Sequence, residues 1–295
     1  ALPLVPDPRT EKFAGEERIS VTVKKPTPTV MLNAAEIEFD EVTITSGDKT
    51  QKAKVAVDLE HETATFTVAK PLAKGPASIT IRYRGLINDK LRGFYISKSE
   101  RRKYAVTQFE PTDARRAFPS FDEPAFKATY DLTLVVDDGD TAISNSKIAK
   151  DEPGPIAGKH TITFERTAKM STYLVAMLVG DWQCSEGSAD GIPVRVCATP
   201  EKKELTKWGL VSAIEELKYF NEYYDFKYPF GKLDIITFPD FEAGAMENAG
   251  AITFREAALL VDDNASAFQR KNVAGVNSHE IAHMWFGDVV TMRWW

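Results

Sequence analysis

The chain has 295 residues, with 37 Lys and Arg against 43 Asp and Glu for a net charge of −6, and 43% of its residues are hydrophobic. That length suggests about two domains at roughly 150 residues each, with enough apolar residues for real cores. The acidic balance argues against a nucleic-acid partner, which would require a basic footprint, and no run of about eighteen apolar residues encodes a membrane span.

Along the first stretch, polar and apolar residues alternate at 19–23, 54–59, 64–68, 78–83 and 130–136. Turn signals separate these runs, among them Ser46-Gly47-Asp48 and Asp138-Gly139-Asp140. Alternation between such turns predicts antiparallel sheets with one buried face, up to about residue 188. The run 98–103 reads as a charged surface loop, and Arg115 and Arg116 as structural ion-pair residues. His61 and His160 have no metal-ligand partner at short spacing, so neither is assigned a role. Residues 173–179 are apolar but few, which suits a buried strand. Cys184 and Cys197 flank the turn-rich stretch 187–191. A cross-strand bond is geometrically open to them, but two cysteines make no disulfide scaffold, and reduced, partly buried thiols are expected.

From about residue 190 the pattern becomes mixed. Thr199 is placed to cap a helix with Pro200 at its first position. Leu210, Ile214, Leu217 and Tyr224 recur at helical spacing, with Val211 and Phe220 widening the stripe. Trp208 and Tyr223 join them as expected core. The strand-like run 233–238 leads into Phe241-Glu242-Ala243-Gly244-Ala245-Met246-Glu247-Asn248-Ala249-Gly250 and then 251–254. Glycines let a backbone approach a ligand closely, and a strand edge can take up an extended peptide. On its residues alone, Glu247 is one acid in an acid-rich chain. Ser266-Ala267-Phe268-Gln269 is a capping box that opens a helix. No proline interrupts the run from Phe268 onward, and Gly287 marks a stop.

That last helix carries His279-Glu280-Ile281-Ala282-His283, which holds half of the chain's 4 histidines. Residues four apart on a helix share a face. Two imidazoles there can grip one Zn²⁺ at about 2.0–2.1 Å each. Glu280 can then deprotonate a metal-bound water, whose pKa the metal lowers to about 7. The segment spells metal-assisted hydrolysis of a peptide or related carbonyl.

Gly244-Ala245-Met246-Glu247-Asn248 followed by HExxH and Trp285-Phe286-Gly287-Asp288 resembles the M1 family of zinc aminopeptidases, of the gluzincin clan. Gln108-Phe109-Glu110-Pro111-Thr112-Asp113-Ala114-Arg115-Arg116-Ala117-Phe118-Pro119-Ser120-Phe121-Asp122-Glu123-Pro124 is similar to the family's amino-terminal block. Lys169-Met170-Ser171-Thr172-Tyr173-Leu174-Val175-Ala176 is similar to its stretch before the domain boundary. The resemblance implies a saddle-shaped antiparallel β-sandwich domain over 1–188, followed over 189–295 by the first part of a thermolysin-like α+β catalytic domain. It implies His279 and His283 as zinc ligands and Glu280 as general base. Glu247, helped by Glu110, would bind the substrate's α-amine, with Gln108 lining the same pocket. Gly244 and Ala245 would hold the substrate's main chain, and Met246 its first side chain. Paired carboxylates around one ammonium make charge-assisted bonds and reject a blocked peptide.

In that family a glutamate completes the zinc site, roughly nineteen residues after His283 by the family spacing. A tyrosine that stabilises the oxyanion lies further on. Neither falls within 295 residues, and Ala1 is no initiator Met. The chain therefore reads as the front portion of a larger aminopeptidase, inactive and weak in zinc binding by itself. Two other readings stand beside this one: a related epoxide hydrolase, and a non-catalytic fragment or binding module. Partners would be peptides with a free amino terminus, with the oligomeric state open. The sparse cysteines favour the cytoplasm, with a periplasmic or secreted enzyme as the alternative.

Overall fold

The computed structural model describes residues 1–295 and is dominated by β-structure. An eight-stranded sheet runs across the amino-terminal part, with Lys12–Val23, Gly75–Leu86 and Ile37–Ser46 as its long ribbon. The expected alternation sets its register, with Ile19 opposite Ile79 and Val21 opposite Ala77. Leu2–Asp7 pairs in parallel with Leu132–Asp137 and antiparallel with Lys12–Val23. The runs predicted at 54–59 and 64–68 form a separate three-stranded sheet with Thr27–Asn33. A four-stranded sheet follows, in the order Thr141–Ser144, Met177–Gly180, Lys103–Gln108, Gly93–Lys98.

The remaining sheet has five strands, in the order Gln183–Ala189, Ile192–Ala198, Leu233–Phe238, Ala251–Arg255, Ala245–Met246. Its central strand, Leu233–Phe238, is buried at every position. Period-two alternation sends its residues to opposite faces. Leu233 and Ile235 join Val194, Val196, Ile252 and Phe254 in a core shared with the helices. Ile236 and Phe238 join the larger amino-terminal core. One sheet thus seals two cores, because this strand carries apolar residues on both faces, with Asp234 paired rather than exposed.

Two helices of 17 residues, Lys207–Tyr223 and Ala267–His283, cover the outer face of this sheet. The capping box forms as read: Ser266 Oγ accepts from the Gln269 amide at 3.2 Å, and Gln269 Oε1 from the Ser266 amide at 2.9 Å. No helix is long and apolar enough to cross a membrane.

Four local expectations are corrected. Cys184 and Cys197 are disulfide-bonded, because the hairpin register sets them directly opposite, with Cα atoms 4.0 Å apart. Thr199 precedes a 3₁₀ segment, Pro200–Thr206, and makes no side-chain cap. Val211 and Tyr223 face solvent, so the buried stripe of the first helix is Gly209, Ser212, Ala213, Leu217 and Phe220. Residues 173–175 lie in a 3₁₀ turn, Thr172–Leu174, and its exit before the strand Met177–Gly180. There the Asn145 side chain takes over the ladder's role, donating to Leu174 O at 2.7 Å and accepting from the Ala176 amide at 3.0 Å.

Asn145 also donates to Ala249 O at 2.9 Å, tying the amino-terminal unit to the segment that follows Glu247. Beside it, the buried Lys232 donates to Ser144 O at 2.5 Å and Gly250 O at 2.8 Å, and pairs with Asp234 at 2.7 Å. Arg195 closes the set on Asp234 at 2.6 Å. Burial alone would raise the Asp234 carboxyl, but the two cations beside it hold it below its ordinary value.

Removing one member of such a set leaves a buried charge short of a partner. Lys232→Met should lower stability by about 3 kcal/mol in chemical denaturation, and a loss within experimental error would contradict this account. A second test lies on the first helix. Glu216 accepts from Ser212 Oγ at 2.7 Å while its other oxygen lacks a partner, and burial pushes its pKa up to about 7 against the pull of Ser212. A raised carboxyl contributes stability below its ordinary value and loses it as the pH rises through the folded value. Glu216→Gln should therefore gain about 1–2 kcal/mol over the parent at pH 8, allowing for partial screening, and nothing at pH 4. Identical melting shifts at both pH values would refute it.

Candidate active site

Helical spacing places His279 and His283 one turn apart near the end of Ala267–His283. Their rings meet edge to face with centroids 4.7 Å apart, and the two Nε2 atoms are 3.1 Å apart. His283 Nδ1 lies 2.9 Å from Phe286 O. A carbonyl only accepts, so Nδ1 carries the proton and Nε2 keeps its lone pair. Of two ring nitrogens this close without an ion, one donates to the other, here His279 Nε2 to His283 Nε2. Once that proton is given up, both can reach one ion at about 2.0–2.1 Å, so the pair fits a metal of the zinc type. No group of three or more His, Cys, Asp or Glu side chains is assembled for a metal within these residues.

Glu280, 5% exposed, points inward from the same helix turn. Burial, then Glu247 and Glu110, push its pKa up to about 8. Glu247, 8% exposed, follows the short edge strand Ala245–Met246. Three features hold that segment. Arg255 donates its Nε to Phe241 O and Ala243 O, both at 3.0 Å, and its amide to Gly244 O at 2.9 Å. Asn248 Nδ2 donates to Thr253 Oγ1 at 3.1 Å. Gly250 turns the chain at φ +68°, where a Cβ would stand 2.7 Å from Asn145 O.

Glu110 arrives from the other unit, just after the strand Lys103–Gln108. The Asp113 amide donates to Phe109 O at 2.8 Å, and Arg116, anchored on Glu62 at 2.6 Å, grips Asp113 at 2.7 Å. Arg115 and Arg116 are ion-pair residues, as the sequence suggested. Burial and then Glu247 raise the Glu110 carboxyl, with His283 pulling the other way.

These groups share a cleft of about 400 Å³, in which Glu110, Glu247, Glu280, His279 and His283 form the polar wall. Ala245, Phe286, Val290 and Met292 form the apolar one. Three of the residues singled out from the sequence lie outside this lining. Met246 packs in the larger core, Gly244 holds Arg255 through its carbonyl, and Gln108 ends its strand opposite Gly93 with a buried, unpartnered Oε1. Sequence reasoning missed the neighbours of His283. Phe286 enters the sequence pattern only within Trp285-Phe286-Gly287-Asp288, and its carbonyl, which has no side-chain signature, does the bonding. A larger groove, of about 640 Å³ beside Phe13, Phe39 and Leu86, carries surface charges such as Lys12 and Glu38 but no catalytic constellation.

A histidine pair with an adjoining buried carboxylate, set in an acidic cleft beside an edge strand, defines the class of metallopeptidases. Residues 1–174 match the Peptidase M1 N-terminal domain and residues 208–295 the Peptidase family M1 domain, so the chain belongs to peptidase family M1. Aminopeptidase M1-D of Oryza sativa subsp. japonica is 42% identical over 100% of the chain and 34% of its own length. Puromycin-sensitive aminopeptidase of Caenorhabditis elegans is 39% identical over 96% of the chain and 31% of its own. Endoplasmic reticulum aminopeptidase 1 of Rattus norvegicus is 37% identical over 97% of the chain and 32% of its own. The chain thus spans about a third of the length of these relatives. Its fold is the family's amino-terminal β domain followed by the start of the catalytic domain, in a family that is generally zinc-dependent.

Arg255 should be the pin of the loop before Glu247. Arg255→Met is expected to speed amide hydrogen exchange over 241–247 by about tenfold or more while the helices keep their protection. Unchanged exchange there would show that the loop is held by other contacts.

Proposed function

We propose that the protein carrying this chain is a zinc-dependent aminopeptidase that releases the first residue of peptides with a free amino terminus. The observation that carries this reading is the convergence of His279, His283 and Glu280 with Glu247 and Glu110 on one cleft. His279 and His283 would hold Zn²⁺, which when bound supplies a Lewis acid and makes water acidic enough to act as a nucleophile near neutral pH. Glu280, beside the two histidines on the same helix turn, would act as the ionised carboxylate that takes a proton from the attacking water and returns it to the departing amine nitrogen. Glu247 and Glu110 bind the substrate's ammonium, and an acetylated end would leave them unpaired.

The strand Ala245–Met246 is the last in its sheet, so its outer edge is open to an extended peptide. The backbone at Gly244 and Ala245 is assigned that role; Met246 for the first side chain and Gln108 for the pocket wall rest on the family resemblance, since neither lines the cleft. With two histidines and no third metal-binding side chain assembled, the 295-residue chain should hold zinc weakly and turn over little substrate. That keeps the binding-module reading beside the enzyme for this stretch alone. The amino-terminal β unit is placed at 1–188 and the catalytic part at 189–295. The pairing of Gln183–Ala189 with Ile192–Ala198 favours moving the seam forward to about residue 181. The cytoplasmic location expected from sparse, reduced cysteines is set against the Cys184–Cys197 bond, which favours the periplasmic or secreted alternative. Thiol counting on protein from its native source decides between them.

An aminoacyl reporter with a free amine should be cleaved by the intact protein, and its acetylated form should not. Glu280→Gln should lower kcat by about 10²–10⁴-fold without displacing the metal. Full activity in that variant would end this reading, and epoxide opening without peptide turnover would favour the related hydrolase.

A further inference from the structure

We infer that Lys127 and Tyr173, both from the amino-terminal β unit, are positioning residues for the proposed metal ligand His283, acting through the turn that ends its helix. The inference rests on the reading of His279 and His283 as a metal site.

After His283 the chain folds back on itself: the Asp288 amide donates to His283 O at 3.0 Å, and the Gly287 amide to Val290 O at 2.8 Å. Gly287 adopts φ +138°, and a Cβ there would lie 3.1 Å from His283 Nδ1. The turn therefore closes directly on the imidazole. Its Phe286 carbonyl receives the Nδ1 proton of His283, which leaves Nε2 free to face His279. An outer partner of this kind orients a metal-binding histidine and selects its tautomer.

The turn makes three further carbonyl bonds across the seam. Tyr173 OH donates to Gly287 O at 3.2 Å, and Thr291 Oγ1 joins it there at 2.5 Å from within the turn. Lys127 Nζ donates to Asp288 O at 2.9 Å and Val289 O at 3.0 Å. Three consecutive carbonyls beyond the helix end are thus bonded by a phenol and an ammonium from the other unit. An ammonium bonded to carbonyls makes charge-assisted hydrogen bonds, about twice as strong as neutral ones. Both hydrogen bonds of Lys127 end on this turn, and so does that of Tyr173, whose ring is otherwise buried in the larger core. Without Lys127, Val289 O loses its side-chain donor and Asp288 O keeps only Thr291 Oγ1 at 3.1 Å; without the Tyr173 hydroxyl, Gly287 O keeps only Thr291 Oγ1. Either loss removes the tie across the seam, so that the turn, and the Phe286 carbonyl with it, is held only from within. The β unit in this way sets the orientation of a ligand carried by the catalytic unit.

The test is made on the full chain and its variants Tyr173→Phe, Lys127→Met and Lys127→Arg, with His279→Ala and His283→Ala as controls. Two quantities are read: the ¹⁵N shifts of the His283 ring without metal, and Zn²⁺ affinity by competition with a chelating dye. Tyr173→Phe and Lys127→Met should each erode the Nδ1–H tautomer of His283 and weaken Zn²⁺ binding by about 10–100-fold, and Lys127→Arg should restore both. Parent-like ring shifts and affinity in folded Tyr173→Phe and Lys127→Met would overturn the inference. If instead the two alanine controls bind Zn²⁺ as the parent does, the metal-site reading itself fails, and the ring shifts still decide whether the two residues orient His283. Should Lys127→Met not fold, Tyr173→Phe, which removes one hydroxyl, carries the same decision.

Discussion

The ammonium of Lys232 sits in the seam between the two cores, donating to Ser144 O and Gly250 O while paired with Asp234. Charge in such a place is expensive to bury and is tolerated only when every proton finds an acceptor. The geometry that satisfies it also fixes how the units meet. Asn145, next to Ser144, ties Leu174 and Ala249 together from the same seam. The segment leading to Glu247 is thereby clamped at Ala249 and Gly250, and Glu110 is held on the facing unit. The cleft exists because these buried polar bonds permit one docking and penalise a slipped one.

Docking forces like charges together. Glu110, Glu247 and Glu280 share a half-enclosed space, and Glu110 and Glu280 are raised by burial and by their acidic neighbours. Asp288, fully enclosed below them with neither carboxyl oxygen partnered, is raised well above the ordinary range by burial and then by Glu247. Such a cluster destabilises the fold by itself and becomes favourable when a cation enters. Negative potential in a half-enclosed site strengthens attraction for a metal ion and for a substrate ammonium, the two cations that the proposed chemistry needs. The same field that opposes folding serves binding.

The helix that carries the histidines is built for rigidity at both ends. Ser266 and Gln269 satisfy its first amides reciprocally, and the 287–291 turn gathers the carbonyls beyond its last residue. Between them, Ile281 and Val273 pack into the core shared with the sheet. A side chain on a helix so anchored has its direction set by the backbone, and the two imidazoles meet edge to face one turn apart.

By itself the sequence determined what depends on neighbours along the chain. Period-two alternation gave the ribbon in which Ile19 meets Ile79, the capping box gave the start of the last helix, and the spacing of His279 and His283 gave a shared face. The family motifs pointed to Glu110 and Glu247 as partners across the cleft. Tertiary structure alone decided what depends on register and docking. It put Cys184 opposite Cys197, turned Val211 outward, buried Met246 in the larger core, and brought Lys127 and Tyr173 to the turn after His283. The division has one physical cause. Local periodicity and capping are set by bonds within a few residues, whereas a carbonyl's partner or a cysteine's neighbour is set by how distant surfaces close, which no short stretch of sequence encodes.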